Sequence, residues 1–66
     1  MSDLDALVER LDAVAEELAD AAIAALREAM EAGSGPRVEL ERRITRARRS
    51  VERAASLLRG SAADDD

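Results

Sequence analysis

The chain has no cysteine, no histidine, no lysine and no aromatic residue, and only one proline and three glycines. Each absence closes a route. Without cysteine there is no disulfide, and without cysteine or histidine the usual zinc donor sets cannot be assembled. Without His, Cys, Lys or Tyr the common nucleophile–base pairs and Schiff-base chemistry are out of reach. Only carboxylates, Arg, five Ser and Thr45 remain as chemistry-bearing side chains. Glu16, Glu17 and Asp20 put acids on neighbouring turns, but di-metal sites in helical bundles pair glutamates with Glu-x-x-His elements, and His is missing. A solvated acidic face is the simpler reading. We expect no enzymatic activity, no cofactor and no metal.

Long hydrophobic runs are also missing. No apolar stretch approaches the ~20 residues that a membrane span needs, and the opening Met-Ser-Asp lacks the basic region of a secretory leader. A basic helix without Trp or Phe is poorly suited to lie on a bilayer. The chain therefore reads as soluble and cytoplasmic, with no membrane partner.

What is present is aliphatic and charged. Beyond the first residue there are eight Leu, four Val, two Ile and Met30, together with fifteen Ala, in a chain of 66 residues. A single domain of this size buries only about 60% of the surface its unfolded chain exposes. No aromatic side chain adds its ~150–250 Å². Against about 1.5 kcal/mol of ordering entropy per residue, such a core leaves an isolated small scaffold with a net stability near zero. Disulfides and metals being excluded, self-association is the remaining supplement.

Periodicity then fixes the fold class as all-α. Apolar residues recur at Leu4, Leu7, Val8, Leu11, Val14, Ala15, Leu18, Ala21, Ala22, Ala25, Leu26 and Ala29, the spacing of one helical face. Ser2 is a cap candidate with Asp5 three residues on in a capping-box-like position, and Asp3 suits the positive end of the helix dipole. The spacing predicts a first helix over about 3–32, stopped by Gly33-Ser34-Gly35-Pro36, where Gly33 can adopt a left-handed conformation and Pro36 can open the next helix. Leu40, Ile44, Ala47, Val51, Ala54 and Leu58 alternate steps of four and three, as in a heptad seam. They predict a second helix over about 36–59, with acids Glu39 and Glu41 near its start and Arg59 before Gly60 at its end. Residues 1–60 form the helical domain, and the acidic segment 61–66 reads as a disordered tail.

A turn this short makes the two helices antiparallel neighbours, an αα-hairpin. Pairing about the turn sets Leu40 beside Ala29, Ile44 beside Ala25, Val51 beside Leu18 and Leu58 beside Leu11, and leaves Leu4 and Leu7 projecting beyond the second helix. The first helix has the broader apolar face and can touch two neighbours. We therefore expect two hairpins to form a homodimeric four-helix bundle around Leu7, Leu11, Val14, Leu18, Leu26, Ile44, Val51 and Leu58.

Charge is divided by helix. The first carries nine acids and two arginines, 2 − 9 = −7; the second carries eight arginines and three glutamates, 8 − 3 = +5. Residues 41–53, ERRITRARRSVER, contain six arginines. Helical angle separates them. Arg43 and Arg48 flank the apolar stripe, where their stems can cover apolar surface. Arg42, Arg46, Arg49 and Arg53 form an outward stripe, and Asp5, Glu9, Asp12, Glu16 and Asp20 form a comparable acidic stripe on the first helix. The basic stripe is a solvated face, a docking surface for an acidic protein, or a nucleic-acid or phosphate-ligand surface. Arg is enriched at interfaces and binds carboxylates in bidentate fashion. Nucleic acid is less favoured, because the chain is acidic overall, offers no aromatic for stacking and has no helix-turn-helix arrangement. Glycine before a helix start in residues 33–36 can resemble an anion site, but Pro36 removes a donor and no Lys follows, so a plain turn is the better reading. The functional expectation is a small non-enzymatic interaction or regulatory module that self-associates and shows an arginine face to a protein partner.

Overall fold

Glycine terminates each of two long helices. The computed structural model describes residues 3–33 and 35–60; within it α1 spans Asp3–Ala32 and α2 spans Gly35–Arg59. Gly33 follows α1 with φ 63° and Gly60 follows α2 with φ 87°. This left-handed region costs an L side chain about 1–2 kcal/mol, and glycine enters it freely. The Gly60 N–H donates to the carbonyls of Ser56 and Leu57, both at 3.1 Å, and so satisfies acceptors that the helix end would leave open. Pro36 sits in the first turn of α2, where its missing N–H costs nothing. These limits agree with the periodicity, α2 starting one residue earlier than expected. The proposed Ser2 cap and the 61–66 tail lie outside the described residues.

The helices pack against each other as a hairpin. Ion pairs between Arg37 and Glu28 beside the turn, and between Arg59 and Asp12 near the open end, establish the antiparallel register. Arg37 stands in the first turn of α2, which holds no acid; Glu39 and Glu41 come after it. Glu28 and Glu31 lie toward the C-terminal end of α1, whose last turn holds no base. Each charge opposes its own helix dipole, and the Arg37–Glu28 pair offsets both.

Alanine forms the tightest contact. Val8, Ala15, Ala22, Ala25 and Ala29 of α1 are buried, and on α2 only Ala55 is, at 1% exposure. Glu41 and Arg48 precede Ala55 in the same seven-residue row and are half-buried. The heptad stripe of α2 is therefore not centred on α1, contrary to the expected seam. Leu40, Ala47 and Leu58 are exposed, while Ile44, Val51 and Ala54 are half-buried at its flank. The physical reason is size: the alanines of α1 and Ala55 of α2 let the helices approach, and, Val8 apart, the larger aliphatic side chains fit beside the line of approach.

The flank has a definite side. Leu11 and Leu18 stand four residues before Ala15 and Ala22, just as Ile44 and Val51 stand four before Arg48 and Ala55. Equal rotations about antiparallel axes, each taken along its own chain direction, fall on the same side of the plane containing both helices. Leu4, Leu7, Leu11, Val14 and Leu18 of α1 thus share one face with Leu40, Ile44, Ala47, Val51, Ala54 and Leu58 of α2. The opposite face is mostly polar, with open clefts lined by Asp12, Glu16, Arg48 and Glu52 and, nearer the turn, by Ile23, Leu26, Glu41 and Thr45. The Cα trace is 46 Å in its longest extent and 11 Å in its shortest. A single layer of two helices leaves both faces open.

Because Ala55 has no room around it, Ala55→Leu should cost about 1–3 kcal/mol by overpacking. In a domain of this size that lowers the melting midpoint by roughly 4–8 °C per kcal/mol. Ala13→Leu on the exposed side of α1 should leave it nearly unchanged. Circular dichroism melts of both variants check this.

Candidate interaction surfaces

Nine of the fifteen large aliphatic side chains are exposed by more than a third: Leu4, Leu7, Val14, Ile23, Leu26, Met30, Leu40, Leu57 and Leu58. Only Val8 is buried, and Leu11, Leu18, Val38, Ile44 and Val51 are half-buried. Of the residues expected to make a dimer core, Leu7, Leu11, Val14, Leu18, Ile44, Val51 and Leu58 lie together on the apolar face. Leu26 does not. It lies across the contact line, beside Ile23 and Glu41, because three residues separate it from Ile23 and eleven from Ala15, which turns it toward the polar side.

The apolar face is bordered by charge. At the same angular distance beyond Leu7 and Val14 stand Arg10 and Glu17 on α1, and beyond Leu40 and Ala47 stand Arg43 and Ser50 on α2; all four are exposed. Arg43 thus fills the expected position beside the stripe. Arg48, expected in a similar role, is instead between the helices, half-buried, with its Nε buried and without a hydrogen-bond partner among the described residues. An unsatisfied buried donor costs about 1–3 kcal/mol.

Arg42, Arg46, Arg49 and Arg53 are all exposed and turned away from the apolar face. Arg42, Arg46 and Arg49 line one shallow cleft with Glu41 and Thr45. Arg42 reaches Glu39 at 4.0 Å on its own helix, a marginal pair with its side chain 69% exposed, and the Thr45 hydroxyl donates to the Glu41 carboxylate at 2.8 Å. The basic stripe is therefore little neutralised by its surroundings. The acidic stripe of α1 lies on the same polar side as this stripe, and Asp12 departs from it by pairing with Arg59 across the helix contact. Treating each helix as carrying its charges outward hides that pair and Arg37–Glu28 from a sequence reading. The available signal is their placement about the turn, 12 with 59 and 28 with 37, at nearly matching heights.

Among the described residues no group of three acids is placed to hold a metal ion, and no helix is long and apolar enough to cross a membrane. No protein-family model, curated protein or solved structure matches the chain.

Replacing Arg48 by Met keeps an unbranched stem between the helices and removes the unsatisfied donor. The gain comes from the desolvation of the Nε donor, which Met does not incur. Arg48→Met should raise the melting midpoint by several degrees, about 4–8 °C if roughly 1 kcal/mol is recovered; differential scanning calorimetry at fixed protein concentration measures it.

Proposed function

We propose that the protein is a small non-enzymatic interaction or regulatory module of the cytoplasm. It self-associates through its apolar face into a homodimeric four-helix bundle and presents Arg42, Arg46, Arg49 and Arg53 to an acidic protein partner. The observation that carries this reading is the continuous apolar face formed by both helices, set back to back with a nearly unpaired arginine stripe. Fully burying each leucine or valine there is worth about 1.5–3 kcal/mol, which a lone hairpin forgoes. Large contiguous exposed apolar patches mark sites of protein, membrane or ligand contact, and among the described residues no helix is long and apolar enough to cross a membrane. The arginines lie on the other side, so docking a second hairpin leaves them free. Their planar forks suit bidentate contacts with carboxylates.

Self-association is measured by light scattering over a range of concentrations. Twice the chain mass at micromolar concentration is expected, and a folded monomer there would refute the bundle. Val14→Glu places an acid in the middle of the apolar face and should halve the mass.

The stripe is tested by Arg46→Glu with Arg53→Glu. Helicity and mass should be retained while the acidic partner captured by the unaltered protein is lost; undiminished capture would overturn the docking role. If the ligand were nucleic acid, binding would weaken steeply with salt, log K falling by about 0.9 per phosphate neutralised for each unit of log[salt]. A salt titration therefore separates the two kinds of partner.

A further inference from the structure

Two hairpins can cover each other's apolar face in two ways that obey two-fold symmetry. With the axis parallel to the helices, each α1 lies over the partner's α2, and heights along the bundle are preserved. With the axis across the helices, each α1 lies over the partner's α1 and each α2 over the partner's α2, with heights reversed. Both bury the same residues. Charge tells them apart.

Most of the charge of both helices lies on the polar side, away from this contact, so the charges on or beside the apolar face decide: Asp3, Glu17, Glu28 and Glu31 against Arg10 on α1, and Arg37 and Arg43 on α2. Packed helix axes lie about 8–10 Å apart, within the ~8–10 Å screening length of physiological salt, so the second arrangement sets the mainly acidic border of α1 against its own copy and the basic border of α2 against its own. It also brings Glu17, at the border of the apolar face near the middle of α1, close to its own copy. In the first arrangement every neighbour around the bundle is antiparallel and of opposite charge. The pairs Arg59–Asp12 and Arg37–Glu28 fix the heights of α1 and α2 within one hairpin, and the parallel axis carries those heights over unchanged. Glu17 then stands level with the neutral Ser50 of the partner subunit, and Arg43 stands within a turn of Glu28 of the partner subunit.

We propose that the second copy docks with its two-fold axis parallel to the helices, so that the acidic α1 packs on the basic α2 of the partner across the apolar face. This rests on the self-association proposed above and adds the orientation. It has a consequence for the basic stripe: the two copies of Arg42, Arg46, Arg49 and Arg53 face opposite sides of the bundle, so the dimer would offer two separate docking surfaces.

The test uses single-cysteine forms of the full chain, which has no cysteine of its own. Glu17→Cys and Ser50→Cys proteins are mixed, allowed to exchange and treated with a short bismaleimide, and the products are separated by mass. The parallel axis predicts a bridge between position 17 of one chain and position 50 of the other, with little 17–17 or 50–50 product. Dominant 17–17 and 50–50 bridges, or no bridge in a sample whose mass is dimeric, would overturn it. A mixture of Asp20→Cys and Arg46→Cys, both turned away from the apolar face, sets the background of chance collisions; 17–50 yield no higher than that background would also overturn the orientation. Light scattering on the same samples separates the two levels of failure: monomeric mass defeats self-association itself, whereas dimeric mass with the wrong bridges defeats the orientation alone.

Discussion

The alanine contact between the helices governs the rest of the structure. Ala15, Ala22, Ala25 and Ala29 of α1 and Ala55 of α2 are buried, and their small side chains bring the helices close. Close approach leaves little space on the contact line for leucine, so apart from Val8 the larger aliphatics lie at its flanks. Had leucine filled the line, the hairpin would have buried more apolar area internally and shown less outside. The exposed apolar face is thus the geometric consequence of the contact that holds the hairpin together.

Polar groups follow from the same constraint. With α2 turned so that Ala55 meets α1, the earlier members of its row, Glu41 and Arg48, are carried toward the contact as well. Arg48 has its Nε buried without a hydrogen-bond partner among the described residues as a result. The cross-helix pairs Arg59–Asp12 and Arg37–Glu28 bracket the contact at its two ends, but their side chains are about half exposed, and such pairs contribute only about 0–1 kcal/mol each. They fix register more than they add stability. The hairpin is held by a narrow apolar contact with charges aligning it.

Much of this is legible in the sequence. Helix limits are readable because Gly33 and Gly60 stop the helices by backbone conformation, which does not depend on tertiary context. The grouping of Leu40, Ile44, Val51 and Leu58 on one stripe is equally readable, since periodicity alone decides which side chains share a face. Periodicity does not say what that face meets. Hydrophobicity assigns the stripe to the contact within the hairpin, whereas shape assigns that contact to alanine, which is less hydrophobic but allows closer approach. Leu26 departs from expectation for the same reason: once the contact line moves to Ala15 and Ala22, Leu26 falls on its polar side. The outward setting of Arg42, Arg46, Arg49 and Arg53 survives the change, because they lie far from either choice of contact line.

Segregating charge by helix has opposite effects at two levels of organisation. Within the hairpin, acidic α1 beside basic α2 favours the antiparallel pair and its register. Like charges crowded along one helix repel one another, however, and that repulsion is relieved most when the other helix lies close on more than one side. A hairpin provides one such neighbour for each helix. A bundle in which α1 also packed on a second α2 would provide two, the second through the face where the leucines lie, acting on the charges beside that face, Glu17, Glu28, Arg37 and Arg43, and not on the outer stripes. Apolar burial and charge neutralisation would then favour the same assembly, whereas in the crossed arrangement they would compete. The sequence pattern, with one helix strongly acidic and the other strongly basic over a shared apolar face, is the one expected where both forces act toward a single packing.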